Sequence, residues 1–334
     1  MSELTLPLYD LIRRVLLEAQ SSVSRAVNTA MVDAYFEIGR LIVEDEQHGH
    51  ARAEYGEETL KPLSERLTAE FGRGFSMRNL RNMRAFYLTF RNRQTLSARL
   101  SWSHYTLLMR LDDEQARDFY IKEAQAENWS VRELDRQINS LLFERLALSR
   151  DRVQIKALAE QGQILESPRD AIKDPYILEF LGLPEQAAYS EKDLETALLN
   201  NLQSFLLELG KGFAFVARQK RITLDAEHFY IDLAFYNRLL RCFVLIDLKI
   251  GKLTHRDLGQ MQMYVNFYDR EVRTDDENHT IGIILCRDKK ETIARYTLPE
   301  DNTQIFASKY KLYLPTEDEL IREVDEVAKL LEGV

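Results

Sequence analysis

The segment YIDLAFYNRLLRCFVLIDLKIGK, from Tyr230 to Lys252, contains two apolar runs with the composition of β-strands, joined by a short polar connection. Each run has an acidic residue in its interior, Asp232 in the first and Asp247 in the second, and Lys249 follows two positions later. Side chains alternate across a strand, so Asp247 and Lys249 are expected to point to the same face. The short connection predicts a hairpin that places Asp232 beside Asp247. Three charged side chains should therefore converge on one patch of a sheet.

Two buried carboxylates side by side need a shared cation, and oxygen ligands favour a hard ion such as Mg²⁺. The helix predicted from SEKDLETALLNNLQSFLLELG offers a third carboxylate, because Glu195 falls within its apolar arc. Glu191 also projects toward that arc, but it follows Ser190 at the first helical position, where the helix dipole explains a negative charge. We therefore select Glu195 as the third candidate ligand. The arc itself consists of Leu194, Leu198, Leu202, Phe205, Leu206 and Leu209.

A simpler interpretation of these charges is structural. Asp247 and Lys249 could form a solvated pair on an exposed sheet face, with Asp232 at the edge of a hairpin. Against this, the context FVLIDLKI is apolar on both faces, and a second acid recurs in the preceding strand. The pattern favours a metal site.

Length and composition limit the class of protein. The chain has 334 residues, a net charge of −9 and 45% hydrophobic residues, which suits two globular domains. It has no apolar run near the roughly 20 residues of a membrane span, and its start lacks the layout of a signal peptide. We expect a cytoplasmic protein without membrane contact. Cys242 and Cys286 lie in apolar runs, so we expect both in the core.

The pattern along the chain predicts an α+β protein. Residues 1–150 show helical periodicity and should form an all-α domain, residues 151–175 a polar linker, and residues 176–334 an α/β domain with a central mixed sheet. Beyond the hairpin, the sequence predicts strands at FAFVARQKRI, at TIGIILCRD and near YKLYLP. A helix is predicted at RDLGQMQMYVNFYDREV, and an acidic helix at the C-terminus.

The helical half contains a local reversal of charge. Between Arg73 and Leu111 there are eight arginines and no acidic residue. This segment reads as helix, glycine-containing turn and helix, with Ser76 as N-cap, a helix-turn-helix or winged-helix-like arrangement. The second helix carries its apolar residues on one side, and arginine suits phosphate and guanine edges. The candidate DNA contacts are Arg73, Arg78, Arg81, Asn82 and Arg84. The alternative is an ordinary amphipathic helix whose arginines pair with acidic residues.

An acid on a helix, an acid on a strand and an acid-x-lysine on the next strand resemble the PD-(D/E)XK nuclease superfamily. In this sequence GQMQMY adds Gln260 and Tyr264, similar to the Q-x-x-x-Y motif of its RecB-like branch. More narrowly, FLLELGKGFAFVARQKRI, the opening segment and GQMQMYVNFYD resemble the bacterial YhcG-like family. In that family a helical domain of DNA-binding type precedes the nuclease domain. Two departures from the superfamily pattern are Ile231 in place of proline and Asp247 in place of glutamate.

The resemblance implies a restriction-endonuclease-like fold in residues 176–334 and Mg²⁺-dependent hydrolysis of phosphodiester bonds in DNA, with Mn²⁺ as a substitute. Asp232 and Asp247 would hold the ion, and Glu195 would complete or orient its shell. Lys249 would position water or stabilise charge, and Gln260 would orient the nucleotide or the lysine, with Tyr264 on the same helical face. Lys252 and Arg218 are further candidate phosphate contacts, with a plain surface role as the alternative.

The sequence leaves other functions open. The nuclease-like fold could be a catalytically silent scaffold that binds nucleic acid or forms a complex, or the helical half could act alone as a sequence-specific regulator. The expected partner is duplex or branched DNA. Because cutting both strands of a duplex often requires two active sites, a homodimer is also expected.

Overall fold

The computed structural model describes residues 5–48, 53–91, 97, 99–147, 152–183, 189–289, 291–316 and 318–319. The chain divides into two compact units, which we call the helical unit (residues 1–136 and 159–162) and the sheet unit (residues 137–158 and 163–334). All described strands belong to the sheet unit. The predicted α+β class, with a helical first half and a mixed sheet in the second, is confirmed.

The helical unit is built on two helices that cross closely. A Cβ atom on Gly39 would collide with the backbone carbonyl of Met83, so only glycine permits this approach. Leu80 and Met83 are fully buried at this crossing. Ser76 begins the second of the two helices as predicted, accepting a hydrogen bond from the backbone N–H of Asn79 at 3.3 Å. The helices of this unit are α1 (Thr5–His48), α2 (Ala53–Phe71), α3 (Met77–Thr89), α4 (Trp102–Leu108), α5 (Glu114–Ala126) and the first part of α6 (Val131–Asn139).

A buried ion pair connects a helix that precedes the sheet in sequence to the rest of the sheet unit. Helix α7 (Leu142–Ala147) belongs to the sheet unit, and Nη1 of its Arg145 lies 2.6 Å from Oε1 of Glu208. Both side chains are wholly buried. The same Nη1 donates to the carbonyl of Pro175 at 3.0 Å, and Glu208 accepts from the N–H of Ile177 at 2.9 Å. The residues predicted as a linker contain helix α8 (Arg152–Gln161).

Six strands form one mixed sheet in the order β1-β6-β5-β4-β3-β2. Neighbours from β1 to β4 in this order are parallel, whereas β4, β3 and β2 pair antiparallel. The strands are β1 (Tyr176–Ile177), β2 (Phe213–Leu224), β3 (Glu227–Asn237), β4 (Cys242–Lys252), β5 (Ile281–Asp288) and β6 (Ile305–Lys311).

Helices cover both faces of the sheet. Leu194 and Leu198 of α9 (Glu191–Asn200), with Phe205 and Leu209 of α10 (Leu202–Leu209), pack in one core against Val244, Ile246 and Leu248. Leu258, Met261 and Val265 of α11 (His255–Phe267) pack in another against Leu245, Ile284 and Cys286. β4 is thus buried on both faces, which explains its unbroken apolar sequence. Cys242 and Cys286 are buried as predicted.

Three expectations about elements differ from the structure or lie outside it. The single helix predicted before the sheet is interrupted at Asn201, whose side-chain amide donates to the carbonyl of Ala197 at 3.0 Å and so competes with the helical pattern. The last strand, predicted near 310–315, is Ile305–Lys311, because pairing with β5 rather than local composition selects it. Helix α12 (Glu291–Thr297) was not predicted. The expected acidic C-terminal helix lies outside the described residues.

Among the described helices, none combines the length and the apolar character needed to cross a membrane.

Candidate active site

Asp232 and Asp247 lie on neighbouring antiparallel strands. Leu233 is opposite Ile246 in the register of β3 and β4. The adjacent pair in this antiparallel register is Asp232 opposite Asp247. Oδ2 of Asp232 accepts a hydrogen bond from the backbone N–H of Leu248 at 2.8 Å. This bond holds the Asp232 side chain against β4, beside Asp247.

The carboxylate of Asp247 is buried, with 1% of the residue exposed. Nζ of Lys249 lies 3.0 Å from its Oδ2. Burial, and then the negative charge of Asp232, raise the pKa of Asp247 to about 7, although Lys249 opposes the shift. Burial by itself would lower the pKa of Lys249, but the neighbouring carboxylates outweigh it and the pKa is raised. Lys249 is therefore a cation at neutral pH, and it lies beside a carboxyl group whose pKa is raised.

Glu191 also approaches this lysine. Ser190 caps α9 by accepting from the backbone N–H of Asp193 at 3.2 Å, as the sequence predicts. From the first helical position, Oε2 of Glu191 reaches to 3.7 Å from Nζ of Lys249. From the sequence, the helix dipole alone explained Glu191. The structure adds this ion pair with Lys249.

Glu195 and Asp232 are joined by a residue that sequence reasoning missed. Nε2 of Gln219 donates to Oε2 of Glu195 at 2.8 Å and to Oδ1 of Asp232 at 3.0 Å. Burial raises the pKa of Glu195, which is 7% exposed, and the hydrogen bond from Gln219 opposes that shift. One neutral amide thus bridges two carboxylates that would otherwise repel each other.

The position of Gln219 depends on an irregularity in β2. The register between β2 and β3 shifts between Phe215 and Ala217, and beyond the shift Arg218 pairs with Leu233. Gln219 consequently lies opposite Asp232, and its φ is +43°, a left-handed conformation that is uncommon for a residue other than glycine. A single strand sequence does not reveal such a shift, so no local signal pointed to this residue.

Gln260 and Tyr264 form a pair that anchors α11. Nε2 of Gln260 donates to the hydroxyl of Tyr264, and this hydroxyl donates to the backbone carbonyl of Tyr230 at 2.8 Å. Tyr264 is fully buried. The pair therefore connects α11 to β3 two residues before Asp232.

The donor set fits a partly hydrated divalent cation. Oδ2 of Asp247 is buried and lies 3.0 Å from the ammonium of Lys249, without a hydrogen bond of regular geometry from the described residues. No three His, Cys, Asp or Glu side chains of the described ranges converge closely enough to hold an ion alone. Mg²⁺, however, keeps several waters and binds through one or two protein carboxylates. Asp232 and Asp247 suit such an ion, with Glu195 joined to Asp232 through Gln219.

The arginines predicted to contact DNA have different surroundings. Arg73, Arg78 and Arg81 are exposed, in the turn before α3 and on its first turns. Asn82 and Arg84 are partly buried, and Nε of Arg84 lies 2.8 Å from Oε2 of Glu46 on α1. Arg84 therefore has a partner within the helical unit.

Two family models match the chain: the DUF1016 N-terminal domain over residues 11–145 and the YhcG PDDEXK nuclease domain over residues 169–325. The chain is also 40% identical over 360 residues to an Escherichia coli (strain K12) protein described as "Putative nuclease YhcG", covering 97% of this chain and 95% of that protein. The C-terminal half is thus a nuclease domain of the PD-(D/E)XK class. The whole chain belongs to the YhcG family.

Two solved structures show weaker likeness. A repair endonuclease from Pyrococcus abyssi matches 40% of this chain and 50% of its own at 18% identity, with a TM-score of 0.27. An EndoMS-dsDNA2 complex matches 40% of this chain and 49% of the EndoMS chain at 19% identity, with a TM-score of 0.28. The chain therefore spans about half of each. Both scores are far below 0.5, so these matches establish no shared overall fold.

Proposed function

We propose that this protein is a divalent-metal-dependent endonuclease that hydrolyses phosphodiester bonds in DNA, and that its helical unit contributes to DNA binding. The observation that carries the proposal is Asp247, a buried carboxylate that lies beside Asp232 and forms an ion pair with Lys249. Lys249 offsets the charge of one carboxylate, so two adjacent carboxylates leave a negative charge that a bound metal ion would neutralise.

Asp232 and Asp247 would hold Mg²⁺, or Mn²⁺ as a substitute. When bound, such an ion neutralises charge on the scissile phosphate and lowers the pKa of a coordinated water. The hydrogen bonds to Asp232, from Gln219 and from the N–H of Leu248, hold this carboxylate against β4. Glu195 acts on Asp232 through the shared amide of Gln219.

Lys249 supplies positive charge at the reacting phosphate. Its pKa is raised, so it is charged at neutral pH, and its ammonium can donate to a phosphate oxygen or to the attacking water. Its side chain is 17% exposed, so it is not fully enclosed by the protein. Gln260 keeps α11 in place through Tyr264 and also lines a groove, where its amide is suited to a nucleotide contact.

The groove beside the site has room for a segment of nucleic acid. Its volume is about 640 Å³. Its lining residues are His228, Phe229, Tyr230, Arg256, Gly259, Gln260, Met263 and Tyr264. Arg256 and the exposed basic residues Arg218, Lys220 and Arg221 provide cations near the site in a chain whose total charge is negative. Cations arranged in this way suit a phosphate backbone.

The helical unit offers a second surface for DNA. Arg73, Arg78 and Arg81 expose their side chains at the start of α3, the helix that would approach a groove in a helix-turn-helix protein. Asn82 and Arg84 are placed less favourably, since both are only partly exposed. We propose that the first three arginines make the main phosphate contacts.

The test is cleavage of linear, supercoiled, branched and single-stranded DNA with Mg²⁺, with Mn²⁺ and with EDTA. Asp247→Asn and Lys249→Ala should abolish metal-dependent cleavage, whereas Asp276→Asn, at an exposed ion pair with Arg241, should retain it. Calorimetry should show that Asp247→Asn also loses metal binding. Cleavage that persists in both site variants, or in EDTA, would contradict the proposal.

A second candidate has an observation of its own. In this structure Gln219 already bridges Glu195 and Asp232, and no three-ligand cluster exists among the described residues. A nuclease-like scaffold that binds DNA without cutting would have these properties. For that function, the native chain and Asp247→Asn should bind DNA equally well, and neither should bind metal or cut.

A further inference from the structure

The first half of α1 has a continuous apolar stripe that is exposed to solvent. The described side chains of residues 8–28 are exposed, and the first buried side chain of this helix is Val32. Tyr9, Val15 and Val23 are each 64% exposed, and Leu8 and Leu16 are nearly as open. A large part of a 44-residue helix therefore lies outside the core of the helical unit.

Apart from Leu11 and Leu17, the apolar residues between positions 8 and 30 occupy one side of this segment. Projected at 100° per residue, they fall within an arc of about 120° that contains no charged side chain between residues 8 and 30. At a rise of 1.5 Å per residue, the stripe is about 35 Å long. Its residues are Leu8, Tyr9, Ile12, Val15, Leu16, Ala19, Val23, Ala26, Val27 and Ala30. The charged residues of the segment lie on the other side: Asp10, Arg13, Arg14, Glu18 and Arg25.

Such a stripe needs a covering surface. Most of the stability of a helix in a protein comes from packing of its apolar face, and helices without that packing are marginal in water. Contiguous apolar surface of this extent on a protein marks an interaction site. Mixed charge on the opposite face, with three arginines and two acids, differs from the strongly basic face of a helix that lies on a membrane.

We propose that the stripe pairs with the same stripe of a second copy of this chain, in an antiparallel, two-fold symmetric dimer. The first half of the stripe has Leu8, Tyr9, Ile12, Val15 and Leu16, whereas the second half has Ala26 and Ala30 together with Val23 and Val27. With Ala19 at the two-fold axis, Leu8 of one copy is opposite Ala30 of the other, and Ile12 is opposite Ala26. Leu8 and Ile12 then face small residues, as close helix packing requires, and Val15 faces Val23, so the surface is complementary to itself.

This alignment uses the full length of the stripe. Residue 8 of one copy is opposite residue 30 of the other, just before Val32, where α1 becomes buried in its own unit. The antiparallel pair therefore covers the stripe from end to end. In a parallel pair the alanines at 19, 26 and 30 would face one another and leave gaps, whereas the bulky residues would crowd together at one end.

The first test is the sedimentation of the full chain at micromolar concentration. The native protein should sediment as a dimer. Leu16→Glu, on the stripe, should shift it to a monomer, whereas Leu17→Glu, one residue away on the opposite side and 47% exposed, should leave the dimer intact. A monomeric native chain, or a dimer that survives Leu16→Glu, would overturn the proposal. Binding of the native monomer to phospholipid vesicles, lost in Leu16→Glu, would assign the stripe to a lipid surface instead.

A second measurement separates the two orientations. When Ile12→Cys and Ala26→Cys chains are mixed and oxidised, the antiparallel pair should give a crosslink between the two variants, and the native cysteines are both buried. A crosslink of Ile12→Cys only with itself would overturn the antiparallel arrangement. These experiments do not depend on the nuclease proposal, because association is measured without DNA, metal or cleavage.

Discussion

Nζ of Lys249 lies 3.0 Å from the buried Oδ2 of Asp247, and the two side chains form an ion pair within the sheet unit. The pair combines a lysine whose pKa is raised by the neighbouring carboxylates with a carboxyl group whose pKa is raised by burial. Without a bound ligand such a site lowers the free energy of unfolding, and this loss should be measurable by denaturation.

Asp247→Asn should stabilise the metal-free protein at pH 8. The pKa of Asp247 is about 7 in the folded chain, above its value in the unfolded chain, so the folded chain holds the proton more tightly. The free energy of unfolding should therefore fall as pH rises from about 4 to about 7, and the asparagine removes this loss. After allowance for the lysine left without its partner, we expect a gain on the order of 1–2 kcal/mol.

Urea denaturation in EDTA at pH 5 and pH 8 measures this effect. The difference between the native chain and Asp247→Asn should shrink at pH 5. Added Mg²⁺ should stabilise the native chain and leave the variant unchanged. A variant that is less stable than the native chain at pH 8 in EDTA would show that burial of Asp247 carries no such cost.

Gln219→Ala should destabilise the metal-free protein. Without the bridging amide, Glu195 and Asp232 face each other without the shared donor, which should cost about 1 kcal/mol at this partly exposed site. Mg²⁺ should reduce the deficit, because a cation replaces the donor. Chemical denaturation with and without Mg²⁺ measures it. Gln262→Ala serves as the matched control, since the amide of Gln262 donates to Asn266 on the exposed side of α11 and its removal should show no response to metal.

Gly39→Ala should destabilise the helical unit by about 1–3 kcal/mol, since α1 and α3 must separate to admit a methyl group. Thermal unfolding followed by circular dichroism would detect the change. Gly74→Ala is the control, because the nearest atom to its added methyl is 3.9 Å away. Equal stability of both variants would mean that the crossing of α1 and α3 is looser than the structure shows.

Glu208→Gln should destabilise the sheet unit by about 3 kcal/mol or more, because Arg145 would keep a buried charge without its carboxylate. Arg40→Gln, in a partly exposed ion-pair cluster on α1, should cost less than about 1 kcal/mol. Denaturation of Arg145→Met, of Glu208→Gln and of the double variant gives the coupling energy of this pair. A coupling energy near zero would show that this ion pair does not hold α7 in place.

Replacing Arg73, Arg78 and Arg81 together by alanine should weaken DNA binding and reduce its dependence on salt. For every phosphate that is no longer neutralised, the slope of log K against log salt concentration should become shallower by about 0.9. Fluorescence anisotropy at several salt concentrations measures both quantities. The matched control replaces Arg13, Arg14 and Arg25 on α1, which changes the net charge equally. If the control weakens binding as much, the α3 arginines have no special role.

Much of this architecture could be predicted locally. The apolar runs of β3 and β4, the caps Ser76 and Ser190, and the buried position of Glu195 depend on neighbours within a few residues. The charged pair Asp247 and Lys249 could be assigned to one face because strands alternate with a period of two. Such features can be predicted from short stretches of chain, because secondary-structure propensity and hydrophobic periodicity are local properties.

The remaining features required the folded chain. Gln219 reaches Glu195 and Asp232 only because a shift of register in β2 turns it toward them. The ion pair of Arg145 with Glu208 joins residues 63 positions apart. By itself, the sequence determined the class of fold, the nuclease-type motif and the candidate acids, since these follow from local pattern. Tertiary structure alone decided which amide links the carboxylates, because partners distant in sequence meet only through packing.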